Sequence, residues 1–212
     1  MKIVLLHGLG QSARDWKAVT DQLPDFDGEC PELFALAESE CTYENVFKHF
    51  EKSQADSQEP LLLCGLSSGA ILALDYALRH PEKVDALILI AGQYKVPTFL
   101  IDLQNLVFRC LPARFFDNMG LSKKGTISLA RSMRSLDFSA RLAEIRCPAT
   151  VVCGAGDRAN LKAAREMQAL LPHSRLEIIS EGGHELNKET PEVIARLIQQ
   201  GVIRLEKTSR KS

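Results

Sequence analysis

Residues 59–74 constrain the fold of this chain more than any other stretch. The apolar run 61–64 is typical of a strand that is buried on both faces of a parallel sheet. It leads directly into Gly65-Leu66-Ser67-Ser68-Gly69, after which apolar residues recur at helical spacing: Ala70, Ile71, Leu74, Ala77 and Leu78. This order predicts a strand, a sharp turn and a helix, with Ser67 at the turn.

The turn has the features that would make Ser67 a nucleophile. A serine hydroxyl reacts poorly unless it is exposed, fixed and close to a base. Because Gly65 and Gly69 lack a Cβ, the turn can be sharp enough to lift Ser67 above the sheet edge. The first N–H groups of the helix would then point to the place where an oxyanion develops. The alternative is a turn without chemistry, which the flanking strand and helix disfavour.

The rest of the chain alternates between strands and helices. Besides 61–64, apolar runs predict strands at 3–6, 84–91, 149–153 and 176–180, and a weak edge strand at 28–33, where Pro31 is tolerated. A length of 212 residues fits one domain. The alternation predicts an α/β fold with a parallel sheet and helices on both faces.

Residues 93–135 differ from this pattern. They contain two predicted helices, at 98–110 and 122–134, and many apolar side chains, which is typical of a helical cap inserted into a core formed by 1–92 and 136–212. We expect Phe99, Leu103 and Phe116 of this insertion to contact a substrate. Seven basic residues also lie there: Lys95, Arg109, Arg114, Lys123, Lys124, Arg131 and Arg134. They could hold an anionic substrate or form a solvated helix face.

Ser67, Asp157 and His184 each directly follow a predicted strand. The carboxyl ends of parallel strands meet at the edge where open α/β sheets bind their ligands. In this arrangement His184 would take the proton of Ser67, and Asp157 would orient the imidazole. Each of the last two alone could be an ordinary loop residue, but three suitable residue types at three strand ends indicate a catalytic triad.

Several of these segments together resemble the α/β-hydrolase fold. They are His7-Gly8-Leu9-Gly10, Trp16, the turn around Ser67, Leu136-Asp137 through Pro148, and Gly182-Gly183-His184. The resemblance implies an oxyanion hole formed by the backbone N–H groups of Leu9 and Ser68, with His7 and Gly8 close to the substrate. The ring of His7 could instead order its loop. The family's usual first two strands are absent here, so we expect a compact sheet of about six strands.

On this basis we expect a serine hydrolase that cleaves a small carboxylic ester or thioester through an acyl-enzyme on Ser67, without a metal or organic cofactor. Two alternatives remain open. The same residues could serve a cofactor-free lyase or C–C hydrolase acting on an acidic substrate, or the chain could be a receptor-like binder of a small ligand.

Composition limits the possible partners and location. The net charge of −1 does not point to nucleic acid or an anionic membrane, and no apolar run reaches the length of a membrane span. The six cysteines lack the spacing of a zinc site or a disulfide framework. The first strand begins next to Met1, so we expect no signal peptide and a cytoplasmic protein.

Overall fold

The computed structural model describes residues 1–24, 26–36, 41–98, 102, 108–116 and 121–209. Its strands are β1 (Lys2–Leu6), β2 (Gly28–Glu29), β3 (Leu61–Leu66), β4 (Val84–Ile90), β5 (Ala149–Gly154) and β6 (Ser174–Ile179). They form one sheet in the order β2-β1-β3-β4-β5-β6, and every neighbouring pair is parallel. The predicted six-stranded parallel sheet is therefore confirmed.

The edge strand β2 is shorter than the sequence indicates. The prediction of a strand over 28–33 is wrong beyond Glu29, where pairing with β1 ends. Pro31 has no N–H to donate to a ladder. The N–H of Leu33 donates instead to Nε2 of His7, at 3.1 Å, so the chain turns towards the end of β1 rather than continuing along it.

The α-helices are α1 (Lys17–Thr20), α2 (Tyr43–Ser53), α3 (Ser68–Arg79), α4 (Lys123–Ser132), α5 (Arg158–Leu170), α6 (Leu186–Glu189) and α7 (Pro191–Ser209). Within the described residues, 3-10 turns occur at Ala13–Trp16, Ala113–Phe116 and Leu142–Glu144. Side-chain caps explain where two of the helices begin. The hydroxyl of Thr42 accepts the N–H of Asn45 before α2, and that of Ser122 accepts the N–H of Gly125 before α4.

The two faces of the sheet are covered by separate apolar cores. Because side chains alternate along a strand, Leu61 and Leu63 of β3 face the core built with α2, α3 and α5, whereas Leu62 and Cys64 face Trp16, α6 and α7. All six residues of β3 are buried. This explains why the apolar run at 61–64 is continuous rather than alternating.

The described parts of residues 93–135 pack against the first of these cores. Leu129 of α4 and nearby Met133 join the cluster that contains Val46 and Phe47 of α2. The N–H of Tyr43 also donates to Oγ of Ser132 at 2.7 Å. The predicted helix at 122–134 corresponds to α4, while the one at 98–110 lies mostly outside the described residues. No helix among the described residues has the length and apolar character needed to cross a bilayer.

Candidate active site

Ser67 lies at the junction of β3 and α3 in a backbone conformation that non-glycine residues rarely adopt. Its φ is 54° and its ψ is −114°. Such a conformation costs of the order of 1–3 kcal/mol and persists only where the surroundings impose it. Here the N–H of Ser67 donates to the carbonyl of Ile90 at 2.8 Å, and its own carbonyl accepts the N–H groups of Ala70 and Ile71. The serine is thus held at the carboxyl edge of the sheet, the edge at which the strands end.

The two glycines of the turn are required by close backbone approach. A Cβ on Gly65 would lie 2.3 Å from the carbonyl oxygen of Gly69, and a Cβ on Gly69 would lie 2.2 Å from that of Leu6. Glycine at 65 therefore allows β3 to approach α3, and glycine at 69 allows α3 to approach β1. The G-x-S-x-G pattern has a steric cause in this chain.

Asp157 and His184 lie in the loops that follow β5 and β6. Oδ2 of Asp157 is 2.7 Å from Nδ1 of His184. The carboxylate is almost fully buried, whereas the imidazole is 45% exposed. This leaves His184 able to exchange a proton with a ligand while Asp157 is shielded from water.

The loops of Asp157 and His184 are joined through their backbones. The N–H of Gly156 donates to the carbonyl of Gly182 at 2.9 Å. A Cβ on Gly154 would lie 2.2 Å from the carbonyl oxygen of Gly183 and 2.3 Å from that of Gly182. The end of β5 thus packs directly on the loop that carries His184, which brings acid and base within hydrogen-bonding distance.

The pKa values of the pair shift in the directions that a charge-paired dyad requires. Burial opposes ionisation of Asp157, but hydrogen bonds from His184 and Asn160 outweigh it and hold the pKa of the carboxyl below its ordinary value. The hydrogen bond to Asp157 raises the pKa of His184 against the opposing effect of burial, with smaller contributions from Glu185 and Glu189. The ionised carboxylate therefore strengthens His184 as a base.

Asn160 and Gln93 belong to this site although the sequence analysis did not single them out. Nδ2 of Asn160 donates to both carboxylate oxygens of Asp157, at 3.0 and 2.8 Å, and Oδ1 of Asn160 accepts from Nε2 of Gln93 at 2.6 Å. The position of Asn160 in the first turn after Asp157 could have drawn attention to it. No pattern around Gln93 indicated its role.

Ser67 and His184 open onto one cavity of about 380 Å³. Leu9 and Ser68, whose N–H groups the family resemblance assigns to an oxyanion hole, also line it. Ser68 is the first residue of α3, and the N–H at that position of a helix has no intrahelical partner. The other described lining residues are Ile71, Ala91, Gln93, Val96, Pro97, Ala130, Met133, Ala159 and Asn160.

The residues expected to contact substrate lie in different places. His7 is buried, with Nδ1 3.0 Å from the carbonyl of Gly8 and Nε2 accepting the Leu33 N–H, so it orders its loop and does not line the cavity. Burial lowers the pKa of His7, which favours the neutral ring that these contacts need. A Cβ on Gly8 would lie 3.4 Å from Cβ of Ser67, and Gly8 is not among the described lining residues. Phe116 is buried edge-on against Phe108, also off the wall. Phe99 and Leu103 lie outside the described residues.

A buried pair of amides joins the loop after β1 to the loop of His184. Gln11 and Asn187 exchange two hydrogen bonds, at 3.2 and 3.1 Å. Gln11 also donates to Glu185, next to His184, at 2.8 Å. These hydrogen bonds connect the loop that carries Leu9 to the loop that carries His184, although Gln11 and Glu185 are 174 positions apart in the sequence.

The basic residues of the 93–135 segment do not surround the cavity, since none of the seven is among its described lining residues. Three are engaged elsewhere: Lys95 pairs with Asp137 and Arg134 with Asp102, both at 2.9 Å, and Lys123 donates to the carbonyls of Arg109 and Leu111. Within the described ranges, no group of three or more His, Cys, Asp or Glu side chains is placed to hold a metal ion.

Comparison with known families decides the assignment of this fold. A family model described as "Alpha/beta hydrolase family" matches residues 3–197. The chain belongs to the alpha/beta hydrolase family. The match spans the strand-to-helix turn of Ser67 as well as both loops that carry Asp157 and His184.

Individual relatives of this alpha/beta hydrolase are distant but aligned over almost their whole length. A pimeloyl-[acyl-carrier protein] methyl ester esterase of Aromatoleum aromaticum is 27% identical, over 94% of this chain and 97% of that protein. A proposed 2-succinyl-6-hydroxy-2,4-cyclohexadiene-1-carboxylate synthase of Bacillus subtilis is 22% identical, over 93% and 89%. The solved structure of MenH from S. aureus superimposes with a TM-score of 0.83 at 17% identity, covering 97% and 94% of the two chains.

Proposed function

We propose that this alpha/beta hydrolase is a serine hydrolase that cleaves a small carboxylic ester or thioester, with Ser67, His184 and Asp157 as its catalytic triad. One observation carries the proposal. Ser67, in its strained turn, and His184, hydrogen-bonded to a buried carboxylate, open onto the same cavity. A nucleophile, a base and a group that orients the base are the three parts that acyl transfer needs.

In the proposed reaction, Oγ of Ser67 attacks the carbonyl carbon of the substrate while Nε2 of His184 takes the hydroxyl proton. Asp157 holds the Nδ1–H tautomer and stabilises the imidazolium that forms. The negative charge that develops on the carbonyl oxygen is met by the N–H groups of Leu9 and Ser68, each worth about 3–4 kcal/mol of transition-state stabilisation.

The tetrahedral intermediate then collapses and expels the alcohol or thiol, which receives the proton from His184. Water, deprotonated by the same imidazole, attacks the acyl carbon. The bond from that carbon to Oγ of Ser67 then breaks, His184 returns the proton to Oγ, and the carboxylic acid is released. The protein's side chains supply the nucleophile and carry every proton in this sequence, so the proposed reaction calls for no metal or organic cofactor.

The volume and the lining of the cavity support a small acyl group as substrate. A volume of about 380 Å³ lies near the lower end of the range for small-molecule sites. The wall includes the apolar side chains of Leu9, Ile71, Val96 and Met133. Val96 and Met133 come from the 93–135 segment, which we propose acts as the cap over the site. The methyl ester activity named for the Aromatoleum aromaticum relative is of the same reaction class.

The test is hydrolysis of p-nitrophenyl esters from acetate to decanoate by the wild type, Ser67→Ala and the matched surface variant Ser57→Ala. We expect turnover with an optimum at short chains, a loss of several orders of magnitude in Ser67→Ala, and wild-type rates in Ser57→Ala. A folded wild type that hydrolyses no ester or thioester would contradict the proposal.

A lyase is the second candidate, because the Bacillus subtilis relative bears the name of a synthase rather than an esterase. In a lyase the same residues would act as a base and no acyl-enzyme would form. Mass spectrometry separates the two reactions, since rapid quenching of a turning-over hydrolase would show Ser67 carrying the acyl group. A turnover that never acylates Ser67 would favour the lyase.

A further inference from the structure

We propose that Asn160, held in place by Gln93, is a positioning residue. It fixes the Asp157 carboxylate against His184 and stabilises the negative charge of that carboxylate by hydrogen bonding. The catalytic meaning of this inference rests on the proposed function. Its structural basis is separate and consists of a chain of hydrogen bonds from Gln93 through Asn160 to both oxygens of Asp157.

The contacts determine how the Asn160 amide is oriented. Its Oδ1 accepts the Nε2–H of Gln93 at 2.6 Å, so its NH₂ group must face the other way, towards Asp157. Nδ2 then lies 3.0 and 2.8 Å from the two carboxylate oxygens, within hydrogen-bonding distance of both. If the amide turned over, its oxygen would face an ionised carboxylate, which places two acceptors together without a proton. The ionised carboxylate therefore sets the orientation of the Asn160 amide, and the hydrogen bond from Gln93 supports it.

Because Asn160 and Asp157 are both buried, the hydrogen bonds between their side chains affect the chemistry of the site. Asn160 is only 9% exposed and Asp157 8%, so water is a poor substitute for the Asn160 amide as a donor to the carboxylate. Hydrogen bonds to a charged group are stronger than those between neutral groups. Nδ2 of Asn160 also lies 3.3 Å from Nδ1 of His184, so the amide, the carboxylate and the imidazole form one compact cluster.

The amide and the imidazole share one acceptor, and this sets the direction of the effect. Oδ2 of Asp157 accepts from Asn160 at 2.8 Å and from His184 at 2.7 Å. While Asn160 donates, part of the carboxylate's charge is satisfied without the imidazole. Removing that donor leaves the charge to His184 and to the backbone N–H of residue 160, which favours the imidazolium. Loss of the Asn160 amide should therefore raise the pKa of His184 further.

The other groups around the dyad do not replace Asn160. Glu185 and Glu189, on the side of α6, act on His184 as negative charges and also raise its pKa. Cys153 of β5 has its Sγ 3.9 Å from the carbonyl of Asp157, and burial raises the pKa of this thiol to about 11, so it stays neutral. Asn160 is thus the uncharged donor that balances an otherwise acidic surrounding.

Gln93 gives the cluster a link to the substrate cavity. It lies between β4 and Val96, lines the cavity itself, and also borders a smaller adjoining cavity of about 240 Å³. The same side chain therefore touches the space for substrate and orients the amide that braces Asp157. The residue that holds Asn160 in place therefore lies at the start of the 93–135 segment.

The experiment measures the pKa of His184 by NMR titration of histidine-labelled protein without substrate. The variants are Asn160→Leu, which keeps the volume but removes the donor, Gln93→Leu, and the two combined. Gln168→Ala, at the far end of α5, is the matched control, and His184→Gln assigns the resonance. In parallel, kcat and KM for the best ester are followed across pH.

We expect Asn160→Leu to raise the His184 pKa, to move the acid limb of kcat/KM to higher pH, and to lower kcat about tenfold or more, as the loss of a charged hydrogen bond implies. Gln93→Leu should shift the pKa in the same direction by less. Because Gln93 acts through Asn160, the double variant should match Asn160→Leu rather than the sum of the two. Gln168→Ala should titrate as the wild type.

An unchanged His184 pKa in folded Asn160→Leu would overturn the inference, and additive effects in the double variant would overturn the part assigned to Gln93. Should Asn160→Leu fail to fold, Gln93→Leu at its half-buried position decides alone, by raising the pKa or leaving it unchanged. Since the titration needs no substrate, a wild type that hydrolyses no ester or thioester contradicts the proposed function without affecting this result.

Discussion

The two edges of the sheet each carry a cavity, yet they differ in backbone and in chemistry. The cavity at the carboxyl edge measures about 380 Å³, and one of about 290 Å³ lies where β5 and β6 begin. The three residues with positive φ in the described part of the chain, Gly10, Ser67 and Ala91, all follow strands at the carboxyl edge. Among the described residues, the two non-glycine residues with positive φ therefore both lie at the edge that carries the candidate site.

Polar side chains at the two edges are used differently. At the amino edge, Arg175 donates to Thr150, Glu177 and Gln200 at 3.0–3.1 Å, so its charge is met within the protein. At the carboxyl edge, Ser67 and His184 face the cavity. A cavity alone thus says little about function. Strain and polar groups directed at a ligand distinguish a site from a packing gap.

The largest expected effect at the carboxyl edge comes from replacing Asp157. We expect Asp157→Asn to lower kcat by about 10⁴-fold, because the imidazole would lose the group that holds its productive tautomer. His184 is a base only when neutral. Its raised pKa therefore places the acid limb of the wild-type kcat/KM profile above the ordinary histidine value of 6.5. Loss of the carboxylate should move that limb to lower pH. Ester hydrolysis across pH measures both effects.

The exposed variant Asp21→Asn is the control for this substitution, since Asp21 pairs only with Lys17 on a helix surface among the contacts described for it. A rate for Asp157→Asn within tenfold of the wild type would remove Asp157 from the proposed mechanism.

A second test sharpens the comparison through close packing at the carboxyl edge. In Gly154→Ala the new Cβ would meet the backbone of Gly182 and Gly183 at 2.2–2.3 Å, so the loop of His184 must move. We expect a loss of about 1–3 kcal/mol in the free energy of unfolding, as for other overpacked sites. A displacement of about 1 Å at the catalytic groups should also cost about 100-fold in kcat. Denaturant unfolding and ester kinetics measure the two losses.

The matching substitution at the amino-edge cavity should have the smallest effect. Gly201 lies within α7, and a Cβ there would lie 3.0 Å from the end of the Leu62 side chain rather than against backbone. The helical preference of alanine, about 0.5–1 kcal/mol, then opposes a small crowding cost. We expect Gly201→Ala to change the melting temperature by a few degrees at most, with unchanged kcat. A loss of activity comparable to that of Gly154→Ala would show that close packing matters as much for activity at the amino edge as at the carboxyl edge.

Much of the fold could be predicted because its signals are local. The apolar run of β3 and the helical spacing after Gly69 delimit a strand and a helix without knowledge of their neighbours. Once strands are delimited, residues at their ends, such as Ser67 and Asp157, can be assigned to one edge of a parallel sheet. The extent of β2 could not be predicted in this way, since the Leu33 N–H goes to the ring of His7 and not to a strand.

Parts of the candidate site could not be predicted for the same reason. Asn160, Gln93, Gln11 and Asn187 are amides in loops or first turns, where no periodicity marks them. The expected substrate contacts from His7 and Phe116 were assigned by resemblance or by apolar character, and both side chains are buried off the cavity wall. Apolar character alone does not tell a core residue from a pocket residue.

The sequence by itself determined the parallel direction of the strands, the two-sided burial of β3 and the glycines that a tight turn at Ser67 needs. Only the tertiary structure decided that Gln93 meets Asn160 across 67 residues and that Gln11 meets Asn187 across 176. The physical reason is range. Hydrophobic periodicity acts between residues a few positions apart, whereas a hydrogen bond between two side chains depends on packing that brings distant loops within about 3 Å.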